Sequence, residues 1–214
     1  DENEKINIEE PFKGLFTQGM VCHETYKNQN GEWLSPDEIE NINGEKFEKK
    51  DKSKKVKVGP SESMSKSKKN TIDPEEIINN YGADSVRLFI LSDSPPEKDI
   101  QWSEQGMVAS YKFLQKFWTL HNKIKNFSPK VSDEEKLNSL EINRFTNEMI
   151  KKVTQNLEKF HYNVIVANLY ETYNFLIKVL NKPLDKNTLL KNYIEILKIM
   201  SPIVPHFASE CLED

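Results

Sequence analysis

From Ser103 to the last residue, apolar side chains recur in steps of three and four, and this pattern constrains the fold more than any other feature of the chain. Met107, Tyr111, Leu114, Trp118, His121 and Ile124 line one helical face. A second run, opened by Ser132 and Glu135 as a capping box, carries Ile142, Phe145, Met149, Val153, Leu157 and Phe160. A third carries Val166, Tyr170, Tyr173, Ile177 and Leu180 before Pro183. A fourth carries Leu190, Tyr193, Leu197 and Met200 before Pro202, and Pro205 opens a fifth over Pro205–Leu212. Long amphipathic helices with short links bury their stripes on one another, so residues 104–214 predict an antiparallel helical bundle.

The first hundred residues read differently. Residues 1–22 begin acidic and end in Leu15–Cys22, a mostly apolar run that predicts a buried strand, with Gly19 marking a close backbone approach. Residues 23–58 switch to turns and lysines, with strand signals at Glu32–Leu34 and Val56–Val58 and a hairpin turn at Asn30-Gly31. They predict a small lysine-rich insertion. Residues 59–103 hold a Ser/Lys loop and two connecting helices. Asp73 caps the first, Pro74 opens it, Glu76 completes a capping-box-like arrangement and Gly82 stops it. Asp84 is predicted to cap the second, through Ser85–Ser92. Pro95-Pro96 breaks the chain before an extended link at Ile100–Trp102. The fold class is mainly α, with a small α/β remnant ahead of the bundle.

Net charge is −4, yet residues 46–69 hold ten lysines against Glu48, Asp51 and Glu62, a local +7 on a body of −11. That distribution suits a local polyanion contact; for residues 46–57 alone, a solvated loop is an equal reading. No apolar run approaches the roughly 18 residues of a membrane span, and the start, Asp1–Glu4, is not signal-like. Cys22 and Cys211 lie far apart with no Cys/His partner at metal spacing, which predicts no metal site and reduced thiols in a cytoplasm. Within the basic stretch, Met64-Ser65-Lys66-Ser67-Lys68-Lys69-Asn70 brings ammoniums, hydroxyls and backbone amides to a helix entrance, an arrangement suited to phosphates.

Met64-Ser65-Lys66-Ser67 resembles the second signature, Lys-Met-Ser-Lys-Ser, of class I aminoacyl-tRNA synthetases. Tyr81-Gly82-Ala83-Asp84-Ser85-Val86-Arg87 is similar to the Gly-Ala-Asp-x-x-Arg element that follows it there. Glu10-Pro11-Phe12 with Gln18-Gly19-Met20-Val21, and Ser94-Pro95-Pro96-Glu97-Lys98-Asp99 with Trp102, resemble the leucyl branch. Two departures stand out. Ser63 occupies the place of the first signature lysine, and the family's His-x-Gly-His element is absent, His23, His121, His161 and His206 being isolated. The resemblance therefore implies part of a longer enzyme, from the end of a Rossmann-like catalytic domain into an anticodon-binding-like bundle, without the editing domain.

The resemblance implies ATP, with Mg2+, and leucine and tRNA(Leu) as partners of the full-length enzyme, a monomeric state, and no activity for the 214-residue chain by itself. It assigns Lys66 the catalytic role of neutralising charge on the departing pyrophosphate, a contact worth up to ~4 kcal/mol at about 4 Å and an effective dielectric near 20. Met64, Ser65, Ser67 and Lys68 complete the ATP loop, and Gly59, Ser61 and Ser63 would let it close and reopen. Gly19, Met20 and Val21 lie, by resemblance, beside the adenine, or are simply core. Arg87 is either a structural salt-bridge partner, to Asp84, or a tRNA contact. Lys123, Lys125, Arg144, Lys151 and Lys152 are tRNA contacts or a solvated face. Two other functions stay open: an isoleucyl or methionyl enzyme of the same subclass, and a non-catalytic helical tRNA-binding module.

Overall fold

The computed structural model describes residues 10–129 and 132–214; the acidic start, Asp1–Glu4, and the rest of residues 1–9 lie outside them. The strands in chain order are β1 (Val21–Lys27), β2 (Trp33–Leu34), β3 (Ile39–Ile42), β4 (Glu45–Glu48), β5 (Asp51–Lys55), β6 (Lys57–Ser63) and β7 (Ile100–Gln101). β1 is central: β2 and β6 pair with it antiparallel, and β7 pairs with it parallel. β3, β4 and β5 form a separate antiparallel meander. Gly31, at φ +84°, supplies the left-handed turn between β1 and β2 at the predicted Asn30-Gly31 site.

The apolar run at 15–22 does not form the predicted strand. β1 starts at Val21, and Phe12, Leu15 and Met20 are exposed. Their side chains find no sheet face to cover, whereas Cys22, Thr25 and Tyr26 turn inward. The predicted boundaries at 22/23 and 58/59 run through β1 and β6, while β3, β4 and β5 pair only with one another.

Two short helices follow the loop, α1 (Pro74–Tyr81) and α2 (Ala83–Ser92). The side chain of Asp73 accepts from Glu75 N at 2.9 Å, as the capping signal predicts. Asp84 does not cap α2. It lies one residue inside that helix and is committed elsewhere. Then come α3 (Glu104–Lys125), α4 (Glu135–Glu158), α5 (Tyr162–Val179), α6 (Lys186–Met200) and α7 (Pro205–Glu213). α4 packs on α5 and α6, and α2 packs on α3 and α5.

Their shared core includes Leu88, Phe117, Ile142, Val153, Leu169, Leu176, Ile196 and Met200. The predicted α3 stripe is buried at Met107, Leu114, His121 and Ile124. The α5 stripe is displaced: Ile165, Leu169, Thr172, Leu176 and Val179 face inward, while Tyr170 and Ile177 face out. Of the predicted face, Val166 is fully buried, and Tyr173 and Leu180 pack half-buried against the core. Apolar residues all round α5 left the face underdetermined, and packing between α2 and α4 chose it.

His121 is buried and satisfied, with Nδ1 3.1 Å from the Tyr193 hydroxyl and Nε2 3.1 Å from Asp214 Oδ2. Burial pushes the neighbouring Cys211 thiol up to about 11, which disfavours its thiolate, and the side chain packs in the core.

Candidate functional site

The register Cys22↔Ser63 turns the chain out of β6 at the same end where the 18–20 segment enters β1. Met64 N donates to Val21 O at 3.1 Å, so the two segments predicted to bind ATP, Gly19–Val21 and Met64–Lys68, lie side by side. Residues Lys66–Lys68 form one 3-10 turn, ended by Lys69 in the left-handed region at φ +54°. Asn70, buried beneath it, accepts from Ser65 N at 2.8 Å, and the Ser65 and Ser67 hydroxyls are 2.7 Å apart.

The loop lysines are not equivalent. Lys68 pairs with Glu62, and Lys69 lies 3.8 Å from Glu38 on the turn before the meander. Lys66 is exposed and forms no ion pair among the described residues. It is the lysine of the turn with no carboxylate partner among the described residues.

Gly59 and Ser61, expected to let the loop close and reopen, lie with Ser63 in a strand rather than in a loop. All three belong to β6, and a Cβ on Gly59 would stand 2.4 Å from the Thr25 hydroxyl oxygen. Gly19 does mark a close approach, and its partner is the chain itself. A Cβ there would meet Lys98 O at 2.2 Å. Gly19 N donates to Pro96 O at 2.8 Å, and Met20 N to the Asp99 carboxylate at 2.8 Å. Thus the Gln-Gly-Met-Val string and the Ser-Pro-Pro-Glu-Lys-Asp string are two halves of one contact. These amides are spent, which leaves the exposed Met20 side chain as the nearest free surface of that segment.

Beside the loop, Lys46 of β4 reaches Glu24 and donates to the Tyr26 hydroxyl at 2.8 Å, fastening the meander to β1. The Lys46 hydrogen bond holds the Glu24 carboxyl below its ordinary value, with burial opposing, and burial lowers the neighbouring His23.

The Gly-Ala-Asp-x-x-Arg element proves to be a joint. Asp84 and Arg87 sit one turn apart on α2. Asp84 accepts from Phe207 N at 2.6 Å and lies 2.9 Å from His206 Nδ1, so it caps α7. Arg87 donates to Ile203 O at 3.0 Å and Pro202 O at 2.8 Å. The predicted Asp84–Arg87 salt bridge is not formed, because each group has a main-chain partner in the α6–α7 corner.

Lys123 on α3, and Arg144 and Lys151 on one face of α4, are exposed and form no ion pair among the described residues. Lys125 is taken up by Asp214, and Lys152 by Glu148 and Glu171. Sequence reasoning missed Asn70 and the Lys46–Glu24 fastening. The only signal for Asn70 is a neutral amide closing a run of cations. No group of three His, Cys, Asp or Glu placed to hold a metal occurs among the described residues, and no helix there is long and apolar enough to cross a membrane.

A Ser/Lys loop on a small sheet is thus joined through a short helix pair to a helical bundle. Residues 56–103 match the family described as tRNA synthetases class I (I, L, M and V), and residues 140–214 match the anticodon-binding domain of tRNA ligase. Within that class the chain's homologues are leucine–tRNA ligases. The enzyme of Bartonella tribocorum is 41% identical over 219 residues, spanning 96% of this chain and 24% of that protein. The Brucella ovis enzyme is 40% identical over 223 residues, spanning 98% and 25%. The chain thus spans about a quarter of the length of the curated relatives it matches. The solved ternary complex of Agrobacterium radiobacter K84 LeuRS with tRNA and LeuAMS superposes with a TM-score of 0.60 at 24% identity, over 71% of this chain and 20% of that one, a likeness of fold.

Proposed function

We propose that this chain supplies the pyrophosphate-side loop and part of the tRNA-gripping bundle of a leucine–tRNA ligase, which activates leucine with ATP and transfers it to tRNA(Leu). The observation that carries this is the Val21–Met64 hydrogen bond, which sets the signature turn beside the Gly19–Val21 segment with Lys66 free of a carboxylate. In this reading the residues after Ser63 serve ATP, and Mg2+ arrives on its phosphates.

As leucine's carboxylate attacks the α-phosphate, negative charge grows on the leaving oxygens. Lys66 meets charge that the ground state lacks, so it lowers the barrier more than it tightens binding. Ser65 and Ser67 donate hydroxyls, and Lys68 assists once it exchanges Glu62 for phosphate. Met20 and Val21 flank the base by van der Waals contact, since the Gly19 and Met20 amides are already used. Arg144, Lys151 and Lys123 contact tRNA phosphates. Arg87 serves this work through the joint. The protein acts as a monomer in the cytoplasm, and the 214-residue chain alone is inactive. The inserted unit of this reading is the meander.

The test is amino-acid-dependent pyrophosphate exchange by the full-length protein. Leucine should support it; exchange driven instead by isoleucine or methionine would reassign the substrate. The anticodon-binding-domain match favours one further function, tRNA binding without chemistry. That alternative predicts binding that weakens steeply with salt and no adenylate formed with any amino acid.

A further inference from the structure

In an exposed and charged stretch, Asn70 is wholly buried, at 0% exposure. Its amide is saturated. Oδ1 accepts from Ser65 N at 2.8 Å, while Nδ2 donates to His23 O at 3.2 Å and Glu62 O at 3.1 Å. The two N–H protons therefore serve two carbonyls, and the oxygen serves the amide that opens the 3-10 turn. These partners come from β1, from β6 and from the loop, so one side chain ties the Lys66 turn to the sheet. Beyond the main-chain bond from Met64 N to Val21 O, no other side chain of the loop is so tied. Lys68 and Lys69 are held by partly exposed ion pairs, which water weakens.

We propose that Asn70 is a positioning residue for the reaction, fixing the register of the Lys66–Lys68 turn so that the Lys66 ammonium stands at a set distance from the start of β1. This rests on the assignment of Lys66 to the leaving phosphates. An aspartate at 70 would keep the acceptor for Ser65 N but turn an anionic oxygen toward two carbonyl oxygens. Burial and that repulsion would raise its pKa, and the protonated acid would regain one donor.

The experiment is leucine-dependent pyrophosphate exchange by the full-length protein and its Asn70→Asp and Asn70→Ala variants, at several pH values. Both variants should lose about 10²-fold in kcat, the scale of a roughly 1 Å misplacement, with KM for ATP changed less than about threefold. The ratio of Asn70→Asp to wild type should rise as pH falls from about 8 to about 6, while that of Asn70→Ala stays flat. Equal and flat ratios, or a loss confined to KM, would overturn the proposal. Should Asn70→Asp not fold, the kcat-against-KM split of Asn70→Ala decides alone.

If the wild type activates no amino acid, the functional assignment of Lys66 fails, and the placement of the turn is then decided separately by amide hydrogen exchange in the 214-residue chain. Ser65–Lys69 should exchange at least about tenfold faster in both variants, with β1 protection unchanged. Unaltered protection of the turn would refute the positioning role.

Discussion

The helical bundle and the sheet with its loop are held together by opposite means. In the bundle, Phe117, Ile142, Val153, Leu176 and Ile196 belong to one continuous apolar core and are almost wholly out of water. In the sheet half the apolar core is Tyr26, Leu34 and Val56 with Ile39 against it, and order comes from single polar contacts: Asn70 under the turn, Lys46 on Glu24, Asp99 on Met20 N. Area-based stability is diffuse and tolerant of salt and pH. Stability from a few hydrogen bonds is local and exchangeable, which suits a loop that must trade its own partners for those of a nucleotide.

The contrast breaks if a core truncation in the bundle proves mild. Phe117→Ala should cost about 3–5 kcal/mol in denaturant melts, and a loss under about 1 kcal/mol would mean the bundle is not the stabilising half. Lys66→Ala should do the reverse. It should leave the melt unchanged and cut leucine activation by the full-length protein roughly 10²–10³-fold, about 2.7–4 kcal/mol; an effect below tenfold removes Lys66 from the catalytic role.

At the joint between the halves, Asp84→Ala strands the Phe207 amide and should cost about 1–3 kcal/mol, whereas Asp84→Asn, which keeps an acceptor, should recover most of it. The smallest effect is expected on the meander. Glu24 has a folded-state pKa below its usual 4.5, so its contribution is fully present above that pH and is lost as pH falls through the lower folded value. Melting temperatures of wild type and Glu24→Gln should therefore differ near neutrality and converge at acid pH; a constant difference down to pH 3 would detach Glu24 from the meander's hold.

What was legible in the sequence follows the same division. The α3 and α6 stripes were readable because each buries one face against a larger core, and Met107, Leu114, Tyr193 and Met200 sit where periodicity put them. The α5 face was not, since apolar residues spread round the whole helix mark no preferred side. The 15–22 run failed as a strand because hydrophobicity without neighbours carries no hydrogen-bonding direction. The phosphate turn was visible as a motif, but its buckle was not: Asn70 acts through carbonyls of His23 and Glu62, and main-chain acceptors leave no trace in the letters. Likewise, nothing local to Asp84 announces a partner more than 100 residues away.

The α2 joint has a consequence for how such a chain can vary. Arg87 and Asp84 grip Pro202 O, Ile203 O and Phe207 N, and of the groups they hold only the His206 ring belongs to a side chain. One side of the hinge region is thus bound by residue identity and the other by path alone. Substitutions at Pro202 that preserve the course of the backbone should pass unnoticed, while a single inserted residue there would break the grip as thoroughly as losing the aspartate and arginine together.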